Sequence, residues 1–236
     1  NHPQVLRLCR SSMRRLAETH GVGGLRFDLG GVFGREQHDL NAWNQNSAML
    51  RMVRNDPVLS GVYLSAEPYD THQNGFHMGD FKGPINEWNK DAYKTTLDYI
   101  NGNPDFSHFV TALAGNAPVF DTDTKDNGHG GDRENFGSLV IDHDTPALVD
   151  MAAYDRPHNS KSEGGHAPDQ LLKIGPEGPS NNPQTIKARA KLCRLVAIAG
   201  SATHGDVVVK IADLIGHSQG GNTNPYCLRA PNTLDW

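Results

Sequence analysis

Apolar residues recur along this chain at two spacings, one near 3.6 and one near 2, and the switches between them outline its elements. Val5, Leu8, Cys9, Met13 and Leu16 fall at helical spacing, with Arg7, Arg10, Arg14 and Arg15 mostly on the other side. His2-Pro3 reads as the start of that helix, and the glycines within residues 21–24 stop it. Leu25-Arg26-Phe27-Asp28-Leu29 then alternates as a short strand does. Arg26 and Asp28 share one face of it, and Leu25, Phe27 and Leu29 the other. A second helix is predicted from Ser47 to Arg54, ended by Asp56-Pro57. The β-prone run from Gly61 to Glu67 is a second strand, closed by Pro68.

The same order continues. Residues 70–90 are rich in Gly, His and Asn, and helical spacing returns over residues 91–100 and 106–114. Residues 116–136 read as a long Asp/Gly loop. Ser138 to Asp144 is a third strand ending in acid. Residues 155–181 are polar and read as loop, Asn182-Pro183 caps a strong helix, and residues 206–213 read as a fourth strand. Helices alternating with strands predict an α/β fold with a parallel sheet, in a single domain over residues 1–236. Asp28, Glu67 and the pair His143-Asp144 all lie at carboxyl ends of strands, where parallel sheets and barrels place their ligands.

Composition narrows the classes. A net charge of −5 favours neither nucleic acid nor an anionic membrane surface. No apolar run approaches the roughly 20 residues needed to span a bilayer. Cys9, Cys193 and Cys227 are few and far apart, which argues against a disulfide framework and against secretion. An Arg two residues before an Asp holds that carboxylate charged and oriented, as a carboxylate nucleophile requires. Alone, the pair reads better as a surface ion pair, which is common and weak. Three acids at three strand ends shift the weight towards catalysis.

These motifs resemble a known family. Gly24-Leu25-Arg26-Phe27-Asp28, with Gly34-Arg35, resembles the fourth-strand motif of the α-amylase superfamily, glycoside hydrolase family 13. Ala66-Glu67-Pro68-Tyr69-Asp70 resembles its fifth-strand motif in the isoamylase and glycogen debranching branch, and Asp142-His143-Asp144 its seventh-strand motif. Segments at residues 55–60, 87–89, 177–179 and 220–226 resemble the same branch. The resemblance implies a (β/α)8 TIM-barrel catalytic domain, of which this chain covers roughly strands four to eight. It implies Asp28 as nucleophile with Arg26 as its partner, Glu67 as general acid and base, and Asp144 with His143 on the sugar hydroxyls. It implies no metal and no cofactor.

The departures from the family are specific. The first three strands and the Asp-x-x-x-Asn-His motif are absent, so the chain is expected to be a fragment or an incomplete barrel. A sixth strand is needed between the fifth and seventh, and Pro118-Val119-Phe120 is the guess for it. Thr145-Pro146 follows the His-Asp pair where Gly is usual, and Ala212-Asp213-Leu214 stands where Gly-Asp-Glu is usual.

The expected function is retaining hydrolysis of α-1,6 branches in starch or glycogen, acting on amylopectin, glycogen or limit dextrin. The rival reading is a non-catalytic glucan-binding or regulatory subunit that keeps the fold, or an inactive fragment. A further one is another family activity such as α-1,4 hydrolysis. Tyr69, Trp43 and Trp88 are candidate sugar platforms, Tyr69 the best of them, against a role in core packing. Residues 123–128 with Glu134 approach calcium-loop spacing, but Lys125 stands at a ligand position and a solvated loop is the better reading. The 12 histidines form no ligand pair on a helix. A homo-oligomer is possible on this sequence, and a plastid or the bacterial cytoplasm is the expected compartment.

Overall fold

A computed structural model describes residues 2–36, 38–39, 41–81, 83–103, 105–116, 119, 136–159, 171–202 and 205–224. Contacts divide the chain into two compact units, one of residues 1–89 with 115–137, the other of residues 90–114 with 138–236.

The first unit begins with α1 (Pro3–His20), whose His2 side chain accepts from the Gln4 N–H. Gly21 ends α1 at φ 63°, a left-handed conformation that glycine adopts without a Cβ penalty. β1 (Gly24–Phe27) follows, one turn of 3-10 helix covers Gly30–Gly34, and α2 (Ala48–Asn55) is capped by Ser47. β2 (Tyr63–Ala66) and β3 (Ile85–Trp88) complete the unit's sheet. β1 pairs with β2 and β2 with β3, all parallel, as the alternation of helix and strand predicts. Glu87 and Trp88 pair with Phe136 and Gly137, the first residues of β4 (Phe136–Ile141). Met13, Phe27, Leu50, Val53, Leu59, Leu64, Phe81 and Ile85 form the buried core beneath these strands.

β3 corrects one expectation. Residues 85–88 supply the strand after β2 that was sought at Pro118-Val119-Phe120. Pro118 and Phe120 lie outside the described residues, and Val119 is helical. All four β3 residues are buried, the polar ones included. Asn86 donates to the Leu64 carbonyl at 3.1 Å, and Glu87 accepts from the N–H groups of Gly79 and Phe81. The polar side chains here satisfy backbone groups of β2 and of the preceding loop, so no apolar run marks the strand. β1 is also shorter than expected. It ends at Phe27, and Leu29 turns into the left-handed region at φ 45° instead of continuing the apolar face.

In the second unit α3 (Lys90–Ile100) and α4 (Phe106–Leu113) pack together, with Tyr99 stacked on Phe109 at 4.1 Å. β4 continues to Ile141, α5 (Leu148–Met151) follows, and α6 (Pro183–Ala202) begins where the Asn182 side chain accepts from Gln184 and Thr185. β5 (Asp206–Val209) lies beside β4. It too is shorter than expected, because the chain turns at Lys210 into α7 (Ile211–Leu214). Tyr93, Leu97, Ile141, Met151, Leu192 and Val196 form this unit's core. Among the described residues no helix is long and apolar enough to cross a membrane. The calcium-like segment, Cys227 and most of the tail lie outside the described residues.

Asp56 holds α1 onto the first unit. Its buried carboxylate accepts from Arg10 at 2.7 Å, from Arg14 at 2.8 Å and from the Val58 N–H at 2.9 Å. Burial pushes this carboxyl up, but the hydrogen bonds from Arg14 and Arg10 outweigh it and bring the group well below the ordinary carboxylate range. A group lowered on folding contributes stability that is present above its unfolded value, near 4, and is lost as pH falls towards its folded value. Urea unfolding should therefore show stability declining as pH drops below about 4. Asp56→Asn should cost about 2–3 kcal/mol at pH 7 and flatten that decline.

Candidate active site

The register of the first unit's sheet puts the expected carboxylates side by side. Phe27 pairs with Ala66, and Ala66 with Glu87, so Asp28, Glu67 and Trp88 each stand one residue further along neighbouring strands. Side chains two apart on a strand share a face, so Arg26 lies on the same side one pleat below. From there it reaches all three. Its Nη1 donates to Asp28 Oδ1 at 2.5 Å, its Nη2 donates to Glu67 Oε1, and its guanidinium carbon lies 4.4 Å from the centre of the Trp88 ring. A cation over an indole face is attracted by the ring quadrupole.

The two carboxylates sit in different surroundings. The Asp28 side chain is 68% exposed and that of Glu67 only 2%. Two further donors converge on Glu67. The Leu29 N–H meets Oε2 at 2.8 Å, and the Tyr69 hydroxyl meets Oε1 at 3.0 Å. Leu29 went unread in the sequence because it acts through its backbone. Its φ is positive, which is rare in a residue with a Cβ.

Glycine lets the two strand ends approach. A Cβ on Gly30 would lie 2.8 Å from Ala66 Cβ, and one on Gly31 would lie 2.7 Å from the Tyr69 carbonyl carbon. With no side chain there, the Gly31 N–H donates to the Tyr69 carbonyl at 3.1 Å. Arg35 then clamps the following loops with a two-pronged pair to Asp70, at 2.8 and 3.0 Å, and donates to the Asn74 carbonyl. Burial pushes the Asp70 carboxyl up, and the hydrogen bond from Arg35 more than reverses this, leaving it below its ordinary range.

Two of the three candidate platforms are packed into the protein. Trp43 stacks on His77 at 4.6 Å and donates its Nε1–H to the Gly31 carbonyl at 2.8 Å. Trp88 is buried beneath Arg26. Tyr69 is half-buried with its hydroxyl on Glu67.

His143 and Asp144 belong to the second unit. They follow β4 in a turn that Asp142 organises. Buried Asp142 accepts from Lys90 Nζ at 2.6 Å through Oδ2 and from the Asp144 N–H at 3.0 Å through Oδ1. The Thr145 hydroxyl closes the turn on the Asp142 carbonyl. Lys210 Nζ supports the same turn through the carbonyls of Thr145 and Pro146, at 2.8 and 3.1 Å. Burial brings the Lys210 ammonium below its ordinary range, and burial raises the neighbouring Asp213 carboxyl. The His143 ring lies 3.6 Å from Asp144, and both side chains remain open to solvent in part. Asp142, His143 and Asp144 bring three metal-capable groups within 4.8 Å of one another, but Lys90 already neutralises the buried one. A cavity of about 500 Å³ in this unit is lined by Leu148, Tyr154, Ile186 and Cys193, and neither His143 nor Asp144 lines it.

No protein-family model matches the chain. It is 31% identical over 242 residues to a glycogen operon protein GlgX homolog of Mycobacterium tuberculosis, and that alignment covers all of this chain and 32% of the relative. It is 30% identical over 245 residues to a glycogen debranching enzyme of Enterobacter sp., again over the whole chain and 35% of the relative. A glycogen debranching enzyme of Escherichia fergusonii is 30% identical over 244 residues, with the same coverage. The chain thus spans about a third of the length of these curated relatives. Throughout its length, the chain is a homologue of bacterial glycogen debranching enzymes, the branch that its three strand-end motifs resemble.

Proposed function

We propose that this chain forms part of the catalytic (β/α)8 barrel of a debranching glycoside hydrolase that cleaves α-1,6 branches of glycogen or amylopectin with retention of configuration. The observation that carries the proposal is the Arg26 guanidinium joined at once to Asp28 and Glu67 on adjacent parallel strands. Two carboxylates on neighbouring nitrogens of one guanidinium are close partners. Retaining chemistry calls for such closeness, about 5–5.5 Å between the two groups, whereas inversion leaves room for a water between them. The names of the relatives point to the same substrate class.

In the proposed reaction Asp28, the exposed carboxylate, attacks the anomeric carbon. The glycosidic C–O bond breaks as Glu67 gives its proton to the departing oxygen. Glu67 then takes a proton from water, the water oxygen attacks the anomeric carbon, and the bond to Asp28 breaks. Arg26 orients Asp28 throughout. Asp144 and His143 bind sugar hydroxyls in this scheme, and the positive charge that develops on the ring is balanced by the carboxylates.

Incubation with amylopectin or glycogen should release linear chains and new reducing ends. Proton NMR during early turnover should show the α-anomer first, and initial release of the β-anomer would overturn the retaining mechanism. Binding of glucan without any release would favour the non-catalytic reading instead.

Asp28→Asn and Glu67→Gln should each lower kcat by about 10³-fold or more. Their stabilities should differ. Asp28 is exposed, so its replacement should leave the unfolding temperature nearly unchanged. Glu67 is buried among three donors, so its replacement should lower that temperature measurably. Near-wild-type turnover in either variant would exclude its assigned role.

A further inference from the structure

The donors around Glu67 are distributed unequally between its two oxygens. Among the described residues, Oε1 receives both Arg26 Nη2 and the Tyr69 hydroxyl, while Oε2 receives only the Leu29 N–H. A protonated carboxyl has one oxygen that only accepts and one that donates its proton while accepting once. Two donors on Oε1 fill its lone pairs and leave no direction for a proton there. One donor on Oε2 is what a donating hydroxyl oxygen tolerates.

We infer that Tyr69 is a positioning residue for the general acid, its hydroxyl directing the transferable proton of Glu67 to Oε2. This rests on the proposed role of Glu67. The tyrosine is itself fixed for this purpose. Its carbonyl accepts from the Gly31 N–H at 3.1 Å, and its backbone bridges to Phe76 across the loop. The phenol therefore hangs from a backbone held on both sides, two residues beyond the carboxylate it serves.

The hydroxyl also favours the charged form of its partner, as any donor to a carboxylate does. Removing it should make proton donation persist to higher pH and make the acid a weaker one. Tyr69→Phe removes the hydroxyl alone. Tyr69→Leu is the second variant, keeping an apolar side chain with no hydrogen-bond donor at that place. Both should move the alkaline limb of the kcat/KM profile up by about one pH unit, one lost hydrogen bond to a charged group being of that size. Turnover of glycogen should fall roughly tenfold, because its leaving group needs the proton. Turnover of α-maltosyl fluoride should fall by less than about threefold, since fluoride departs with little proton assistance.

A loss confined to KM, with the pH limb unmoved in both variants, would mean that Tyr69 serves only as a sugar platform and would overturn the inference. Equal losses on glycogen and on the fluoride would overturn it as well, since they mark a general disturbance of the site. A wild-type protein inactive on both substrates would overturn the debranching reading and this inference with it. An active wild type beside variants with an unshifted limb overturns this inference alone.

Discussion

The first unit's site depends on one guanidinium shared between two acids. Glu67 is almost wholly buried, and burying a carboxylate without a counter-charge costs several kcal/mol. Arg26 supplies that counter-charge, and its planar fork lets it hold Asp28 with the neighbouring nitrogen at the same time. A lysine in its place would offer a point charge without the fork. Arg26 is in turn seated on the Trp88 ring. Strand register therefore decides the chemistry. A slip of one residue in β1 would carry Arg26 and Asp28 to the opposite face and leave Glu67 buried without its cation.

The turn after β1 meets a second demand, that two strand ends lie close enough for one side chain to bridge them. Gly30 and Gly31 meet it by having no Cβ where Ala66, Glu67 and Tyr69 press against the turn. Leu29 takes a left-handed backbone conformation there, and its N–H donates to Glu67. Such a conformation costs on the order of 1 kcal/mol and persists only where the surroundings fix it. Here they do, through the Arg35–Asp70 clamp and the bond from Gly31 to Tyr69 on either side. Local strain and distant clamps thus belong to one construction, in which the loops hold a shape that the short strands alone would not impose.

Much of this was legible in the sequence, and the unread parts share a cause. α1, α2, α3, α4 and α6 announce themselves by apolar spacing and by caps at His2, Ser47, Asp105 and Asn182, which are local features. Arg26 lies on a strand whose alternation is plain, and Asp28 and Glu67 stand just past the ends of that strand and of the β-prone run after it. β3 was not legible, because its Asn86 and Glu87 are buried to satisfy backbone groups of β2 and of a loop and give no apolar signature. The ends of β1 and β5 were overrun because the residues beyond them, Leu29 and Ile211, are apolar and fit a strand pattern while the backbone turns. Leu29 and Lys210 escaped notice for a related reason. One acts through its N–H and the other holds main-chain carbonyls, and side-chain chemistry advertises neither.

The contrast between Asp28 and Glu67 bears most directly on the two roles proposed for this pair of like side chains. A nucleophile needs an open approach for an anomeric carbon and a charge held in place. Asp28 has both, being mostly exposed and bound through one oxygen by Arg26. An acid that must also act as base needs a fixed direction for its proton and shelter from bulk water. Glu67 has the shelter of burial, and the unequal share of donors on its oxygens provides the direction. The same arginine touches both acids, so the difference between them comes from what else surrounds each one. That difference was set by the turn after β1 and by the tyrosine after β2, features lying within a few residues of the carboxylates they distinguish.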